Sequence, residues 1–122
     1  MSNPNIVNVT SILGTTTYLT PANTTANTLL SNAASSGLVF KINQIVCANV
    51  NGTSAVNATV SINNAAAGAG TNFPVISTVS VPASASVIAV DKTTAIYLME
   101  NSSIVVTSGT ASGITMDEFS MR

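Results

Sequence analysis

The chain has 122 residues, the length of one folded domain, and only 6% of them are charged whereas 46% are hydrophobic. Its three lysine or arginine residues and formal net charge of -1 exclude the phosphate neutralisation on which nucleic-acid binding depends, and they argue equally against docking on an anionic membrane. Histidine is absent, which removes the side chain that most often serves as a general base or metal ligand.

The N-terminal segment, residues 1–12, is interpreted as an edge strand or as an arm that lies on a neighbouring subunit, and residues 13–122 as one domain. This segment lacks the basic region and apolar core of a secretory signal. No stretch of the chain approaches the roughly 18 consecutive apolar residues that a membrane-spanning helix requires. We therefore expect neither a membrane protein nor one exported through the general secretory route.

The segment 37–50 is rich in β-branched and apolar residues, which predicts a strand. The apolar residues on its first face are Leu38, Phe40 and Ile42. Ile45 breaks this two-residue period, and the break predicts a β-bulge near Asn43 and Gln44. Asn51 and Gly52 tolerate positive φ, so a hairpin across residues 51–53 is expected to join this strand to the next.

Three later segments also alternate between apolar and polar residues, as half-buried strands do. In the segment 54–64, the apolar residues Val56, Ala58, Val60 and Ile62 alternate with Asn57, Thr59, Ser61 and Asn63. In the segment 73–81, the residues assigned to one face are Phe73, Val75, Val79 and Val81. In the segment 96–100, Ile96 and Leu98 are opposed to Tyr97 and Met99.

Turn residues separate strand-like segments at spacings of about 8 to 12 residues, which is typical of a β-sandwich. The sequence therefore predicts an all-β fold, a single β-sandwich of about eight strands with jelly-roll or immunoglobulin-like connections. The glycine-rich segment 65–72 is expected to be a loop between sheet edges. A phosphate-binding loop is the alternative, but neither a following Lys-Ser/Thr pair nor a helix to present amide groups is present.

The only acid/base candidates are four carboxylates: Asp91, Glu100, Asp117 and Glu118. A glycosidase-like pair is one interpretation, but we expect solvated charges at turns and strand ends, with Asp117 and Glu118 on opposite faces of a strand. The single cysteine, Cys47, is expected to be a small core residue and not a nucleophile, since no cationic side chain is near it in sequence. The sequence thus predicts no catalytic residue, no metal and no cofactor.

The segment 79–107 resembles a part of small virion structural proteins of tailed bacteriophages, and the similarity extends more loosely over residues 38–119. In that family a hydrophobic-Pro-Ala sequence and an apolar strand precede Asp-Lys, then Ile-Tyr-Leu-Glu-Glu-Gly-Asp-Ser and another apolar strand. Here Asp91-Lys92 matches the Asp-Lys pair, whereas the acidic turn is reduced to residues 99–103 and has no glycine. The resemblance implies an all-β subunit of a head decoration, neck or tail-associated layer, in which Asp91 and Lys92 brace a turn.

Sparse charge, dense strands and the lack of a catalytic set agree with a non-enzymatic subunit that is stabilised by burial in a homo-oligomer. We expect a capsid decoration or cement protein, a homotrimer or other symmetric oligomer, bound to the major capsid protein or to other virion proteins. Its location would be the virion, after assembly in the host cytoplasm.

Two alternatives to a head decoration protein are kept. One is a neck, tail or fibre-associated subunit. The other is a receptor- or glycan-binding module, in which Tyr18 and Tyr97 would have to supply the aromatic platform because the chain has no tryptophan. An enzyme that uses Asp117 or Glu118 ranks behind both.

Overall fold

The computed structural model describes residues 14–20, 24–91, 93, 96–110 and 113–121, so the N-terminal arm assigned to residues 1–12 lies outside the described residues. Within these ranges the chain forms nine β-strands and one short 3-10 turn, Ala66–Gly68, with no α-helix. In chain order the strands are β1 (Gly14–Leu19), β2 (Asn27–Asn32), β3 (Phe40–Asn49), β4 (Val56–Asn63), β5 (Asn72–Val81), β6 (Ser86–Val90), β7 (Ile96–Leu98), β8 (Ser102–Ser108) and β9 (Ile114–Met121).

The strands are arranged in two antiparallel sheets that share one hydrophobic core. The first sheet has the order β1-β9-β3-β6, with β7 pairing with the other part of β3, and the second has the order β2-β8-β4-β5. Both sheets contribute to the core cluster, whose members are Leu29, Phe40, Ile42, Ile45, Cys47, Val56, Ala58, Val60, Val81, Val90, Leu98, Ile104, Val106 and Ile114. The all-β prediction is confirmed, with nine strands in place of about eight.

The bulge predicted in β3 is confirmed. The register between β3 and β9 shifts between Ile42 and Gln44, so the side chains of both Ile42 and Ile45 point into the core and are fully buried. Leu38 does not join this face. It precedes the strand and its side chain is 38% exposed, because the backbone becomes extended and paired only from Phe40 onward.

The expected hairpin at residues 51–53 is wrong. The strands on either side, β3 and β4, belong to different sheets, so this connection crosses from one sheet to the other. The side-chain Oδ1 of Asn51 accepts hydrogen bonds from the backbone N–H groups of Thr53 and Ser54, at 2.9 and 3.2 Å. An Asx turn therefore reverses the chain, and such a turn can form without pairing the strands that it joins.

The alternation in β4 is confirmed for its inner residues, but the opposite face is not solvated as expected. Ser61 and Asn63 are buried although they point away from the core. The loop between β4 and β5 covers this face, and Ser103 on β8 anchors it: its hydroxyl donates to the carbonyl of Ala65 at 2.8 Å and accepts from the N–H of Gly68 at 3.0 Å. A glycine-rich loop thus forms a lid over the second sheet.

The single face predicted for the segment 73–81 is only partly correct. The register between β4 and β5 shifts twice, and Thr78 has a positive φ of 46°, so the two-residue period is interrupted. Val81 is buried, whereas Phe73 remains 56% exposed and Ile76 packs against the core in its place. In β7 the predicted alternation is confirmed. Leu98 is buried while its neighbours Tyr97 and Met99 are exposed.

Three strands, β2, β3 and β4, each end in a buried asparagine. These residues are Asn32, Asn49 and Asn63. The amide of Asn49 donates to the carbonyls of Ser54, Val81 and Pro82 at 3.0, 2.9 and 3.2 Å, and its Oδ1 accepts from the N–H of Asn51 at 2.8 Å. One neutral side chain thereby hydrogen-bonds to backbone groups of two connections, the one after β3 and the one after β5.

The other two asparagines act in the same way. Asn32 donates to the carbonyls of Leu38 and Leu98 at 2.9 and 3.1 Å, which joins the β2–β3 connection to β7. Asn63 accepts from the N–H groups of Ala65 and Gly70 at 3.0 and 2.8 Å, inside the lid loop. In each case the asparagine side chain hydrogen-bonds to backbone groups at the strand end, where the hydrogen bonds between strands stop.

Replacing the amide of Asn49 by a carboxylate of the same shape tests this role. Asn49→Asp removes the donor and places oxygen against three carbonyl oxygens, so we expect the free energy of unfolding to fall by about 1–3 kcal/mol or more in urea denaturation. Asn57→Asp, at an exposed position of β4, is the matched control and should change it by less than about 0.5 kcal/mol. Equal effects of the two changes would contradict the role.

Candidate functional site

The candidate acid/base residues lie on three separate elements. Asp91 follows β6 and caps its own turn, where its Oδ1 accepts from the N–H of Thr93 at 3.0 Å and from the Thr93 hydroxyl at 2.6 Å. Glu100 lies in the turn between β7 and β8, and its Oε2 accepts from the N–H of Gly37 at 2.9 Å. Both carboxylates thus stabilise connections. Lys92, the expected partner of Asp91, lies outside the described residues.

Glu118 corrects the expectation that the carboxylates are solvated. It lies in the middle of β9, opposite Thr17 of β1 and Ile45 of β3, and its side chain is only 1% exposed. Ile45 points into the core, and residues directly opposite each other share a face, so Glu118 points inward as well. The side chain of its neighbour Asp117 lies outside the described part of the structure, so the expectation that the two side chains lie on opposite faces stays a prediction. A buried Glu118 and an exposed Asp91 do not line one solvent-filled cleft.

The only thiol of the chain is in the core. Cys47 lies in β3, is fully buried, and forms no disulfide. Burial away from water raises the pKa of the Cys47 thiol from 9.0 to about 12, because the charged thiolate is disfavoured there. The thiol is therefore protonated and unreactive at neutral pH, and the expected position as a small core residue is confirmed.

Among the residues that the structure describes, no three His, Cys, Asp or Glu side chains lie close enough together to hold a metal ion. In the same residues, no helix is long and apolar enough to cross a membrane. No protein-family model matches the chain, and no curated protein and no solved structure has significant similarity to it. What remains as a candidate site is the surface itself.

The outer face of the first sheet carries three apolar side chains in register, two of them exposed and one half-buried. Tyr18 of β1 and Val46 of β3 are both paired with position 117 of β9, and Val46 is paired in turn with Ile88 of β6. Residues in such register share one face of a sheet. Tyr18 is 72% exposed and Ile88 is 56% exposed. We name this set, Tyr18, Val46 and Ile88, the apolar row; position 117, between Tyr18 and Val46, is an aspartate. The apolar row can contribute burial to an interface.

The turn that carries the sequence resemblance, Met99–Ser103, connects several loops. Asn101 has a positive φ of 57°, the left-handed conformation that Asn tolerates better than other residues with a side chain, so it takes the place of the missing glycine. Its Oδ1 accepts from the N–H of Ala66 at 3.1 Å, which ties the lid loop to this turn. Together with the contact of Glu100 to Gly37, the turn fixes two other connections.

The sequence indicated the apolar character of these strands but missed two features of the structure. One is that Glu118 is buried, because no local sequence pattern distinguishes a buried glutamate from a solvated one. The other is the apolar row, because its members come from three strands distant in sequence. Val46 and Ile88 each occupy the outward position of their strand, and that parity is the signal available in the sequence.

We expect the Cys47 thiol to be inert until the chain unfolds. At pH 8 the folded protein should not react with iodoacetamide over hours, because a pKa near 12 leaves almost no thiolate and the side chain is buried. In denaturant the same thiol should be alkylated within minutes, and mass spectrometry follows both reactions. Rapid alkylation of the folded protein, with Cys47→Ala as the blank, would show that the thiol is accessible.

Proposed function

We propose that the protein is a structural subunit of a tailed-bacteriophage particle, a decoration or cement protein that binds the outside of the head as a homo-oligomer. The observation that carries the proposal is the exposed, nearly uncharged surface, in which the apolar row projects from the outer face of the first sheet. A protein that stays dissolved alone normally presents mixed charges there. Only 6% of this chain is charged, so the surface suits permanent contact with other subunits.

The strand order supports a jelly roll as the form of this subunit. Four antiparallel pairs are nested along the chain: β1 with β9, β2 with β8, β3 with β6, and β4 with β5. The outermost and third pairs lie in one sheet and the other two pairs lie in the second. A double-sheet jelly roll has this arrangement, and viral capsid domains are among the proteins built on it. The immunoglobulin-like alternative, with its first, second, fourth and fifth strands in one sheet, fits less well.

The resemblance in the sequence pattern of residues 79–107 is the reason for proposing that this subunit belongs to a phage particle. Within that segment, Asp91 and Glu100 accept hydrogen bonds from backbone N–H groups of connections, which is a structural use of the few acidic residues. Fold alone does not imply function, so the proposal depends on the surface and on the resemblance together.

The glycan-binding alternative gains nothing from the two tyrosines. Tyr18 lies on β1 and Tyr97 on β7, and the strands β9 and β3 separate them. Neighbouring strands are about 4.8 Å apart, so the two rings are separated by about 14 Å across the sheet. That distance exceeds the width of one sugar ring, and the two tyrosines cannot enclose it.

Purified particles of the phage that encodes this chain provide the test. We expect mass spectrometry to detect the protein in the particles, and tail-free heads to retain it in many copies. Added protein should also bind heads assembled without it, where electron cryomicroscopy would show extra density on the outer surface. Absence of the protein from purified particles would contradict a virion function. Its detection in isolated tails but not in heads would show that it is a tail protein.

A further inference from the structure

The four sheet edges of this molecule differ in how well they are protected against pairing with another chain. An unprotected edge strand presents a row of backbone N–H and C=O groups that recruits other strands, and proteins block such edges with proline, charge, bulges or covering loops. The four edges are formed by β1, β2, β5 and the pair β6 and β7, and within the described ranges of the chain only one of them has none of these devices.

Proline and irregular geometry block the β5 edge. Pro74 lacks an N–H group, the register with β4 shifts twice, and Thr78 has a positive φ. The hydroxyl of Thr59 also accepts from the N–H of Thr78 at 2.9 Å, so that a side chain of β4 interrupts the ladder. A second chain could not continue this sheet with a regular set of hydrogen bonds.

The β2 edge and the divided edge of the first sheet are also interrupted. In β2 the register with β8 shifts between Thr28 and Leu30, and the hydroxyl of Ser31 accepts from the N–H of Ala67 in the lid loop at 2.9 Å. On the far side of β3, the edge consists of two short strands, β6 with five residues and β7 with three, in place of one continuous strand.

The β1 edge is regular and neutral. All six residues of Gly14–Leu19 pair with β9 in one unbroken register, and they include neither a proline nor a charged residue. Their exposure alternates along the strand, so successive side chains of β1 point to opposite faces as in a regular pleated strand. Among the described residues, no strand pairs with its second edge. Threonine and tyrosine, which favour strands, make up four of the six residues.

We propose that the β1 edge is the site at which two copies of this chain associate, by antiparallel pairing of β1 with β1. This proposal names the interface of the homo-oligomer described under the proposed function, and it rests on that proposed function. A two-fold axis perpendicular to the sheet, located beside Thr17, pairs that residue with its own copy and places Tyr18 opposite Thr16. Residues then meet others on the same face, and no like charges are brought together because β1 has none.

A second copy fits this edge better than a charged partner does. The pairing is self-complementary, and the Tyr18 side chains of the two copies would lie diagonally across the two-fold axis on the same face, within reach of each other. The backbone hydrogen bonds would supply affinity and orientation, as in other cases of strand addition. The burial of Tyr18, now 72% exposed, would add apolar contact next to the axis.

The test compares charge at this edge with charge elsewhere. In the double variant Thr16→Lys/Tyr18→Lys, pairing would bring lysines together from both copies, so sedimentation velocity should show loss of the oligomer of the wild-type chain. Ser77→Lys/Ser80→Lys, at exposed positions of the blocked β5 edge, should leave the oligomer intact. Ile88→Lys, on the face of the apolar row but on β6, should also leave it intact.

Hydrogen exchange of the wild-type protein tests the same edge without a variant. Every second amide of β1 points to the free edge, and its protection should rise with protein concentration as the oligomer forms. Protection of these amides at every concentration would show that the chain's own residues cover the edge, and fast exchange in the oligomer would place the interface elsewhere. Either result would overturn the inference.

The inference and the proposed function fail in different ways. If the lysine variant remains an oligomer, the β1 interface is wrong, while detection of the protein in phage heads still supports a decoration protein. If the protein is absent from particles yet the lysine variant dissociates, the interface stands and the virion function is wrong. If the wild-type chain stays monomeric at high concentration, β1 does not pair and the homo-oligomer is lost with it.

Discussion

The fold depends on the hydrogen bonds of three buried asparagines at strand ends. A chain with so few charged residues must satisfy its loop backbone with neutral groups, and Asn32, Asn49 and Asn63 each supply an amide donor and a carbonyl acceptor where a strand stops. Asn32 and Asn49 thereby join parts of the chain that are far apart in sequence, whereas Asn63 holds the lid loop that follows its own strand. The two sheets can then pack through a small core that is apolar apart from Glu118.

The scarcity of charged residues also determines the character of the surface. Asp91 and Glu100 accept hydrogen bonds from backbone N–H groups of nearby connections, and Glu118 is buried, which leaves few charges to keep the outer face in water. The apolar row and the regular β1 edge then lie exposed beside each other in the first sheet. In the proposed oligomer, neighbouring copies would cover these features and stabilise the folded state, because binding to the folded state alone shifts the unfolding equilibrium by mass action.

Much of the fold could be predicted from the sequence where the physics is local. Alternation correctly placed the inner residues of β4 and β7, and the break at Ile45 located the bulge in β3, because side-chain direction follows the two-residue period of a strand. The prediction of a hairpin at residues 51–53 was wrong because an Asn-Gly pair indicates a turn but does not indicate which strands pair with each other. Those partners, β9 for β3 and β8 for β4, are 40 or more residues away in the chain.

The candidate site was less accessible to prediction. Asn49 and Asn63 resemble ordinary turn residues in the sequence, and only the folded chain shows that backbone groups converge on them, from the connection after β5 for Asn49 and from the lid loop for Asn63. The burial of Glu118 could not be predicted for the same reason, since it results from the position of β9 between β1 and β3, which are distant in sequence. The absence of histidine, in contrast, is visible in the composition, and it excluded catalysis and metal binding by histidine without structural information.

The central claim is that this sparsely charged β-subunit gains its stability through association with copies of itself. The most direct measurement is the thermal unfolding midpoint, Tm, of the purified protein over a wide range of protein concentration. The account predicts that Tm rises steadily with concentration, since unfolding must then be coupled to dissociation. A Tm that stays constant over that range, together with a monomeric mass at the highest concentration, would contradict it.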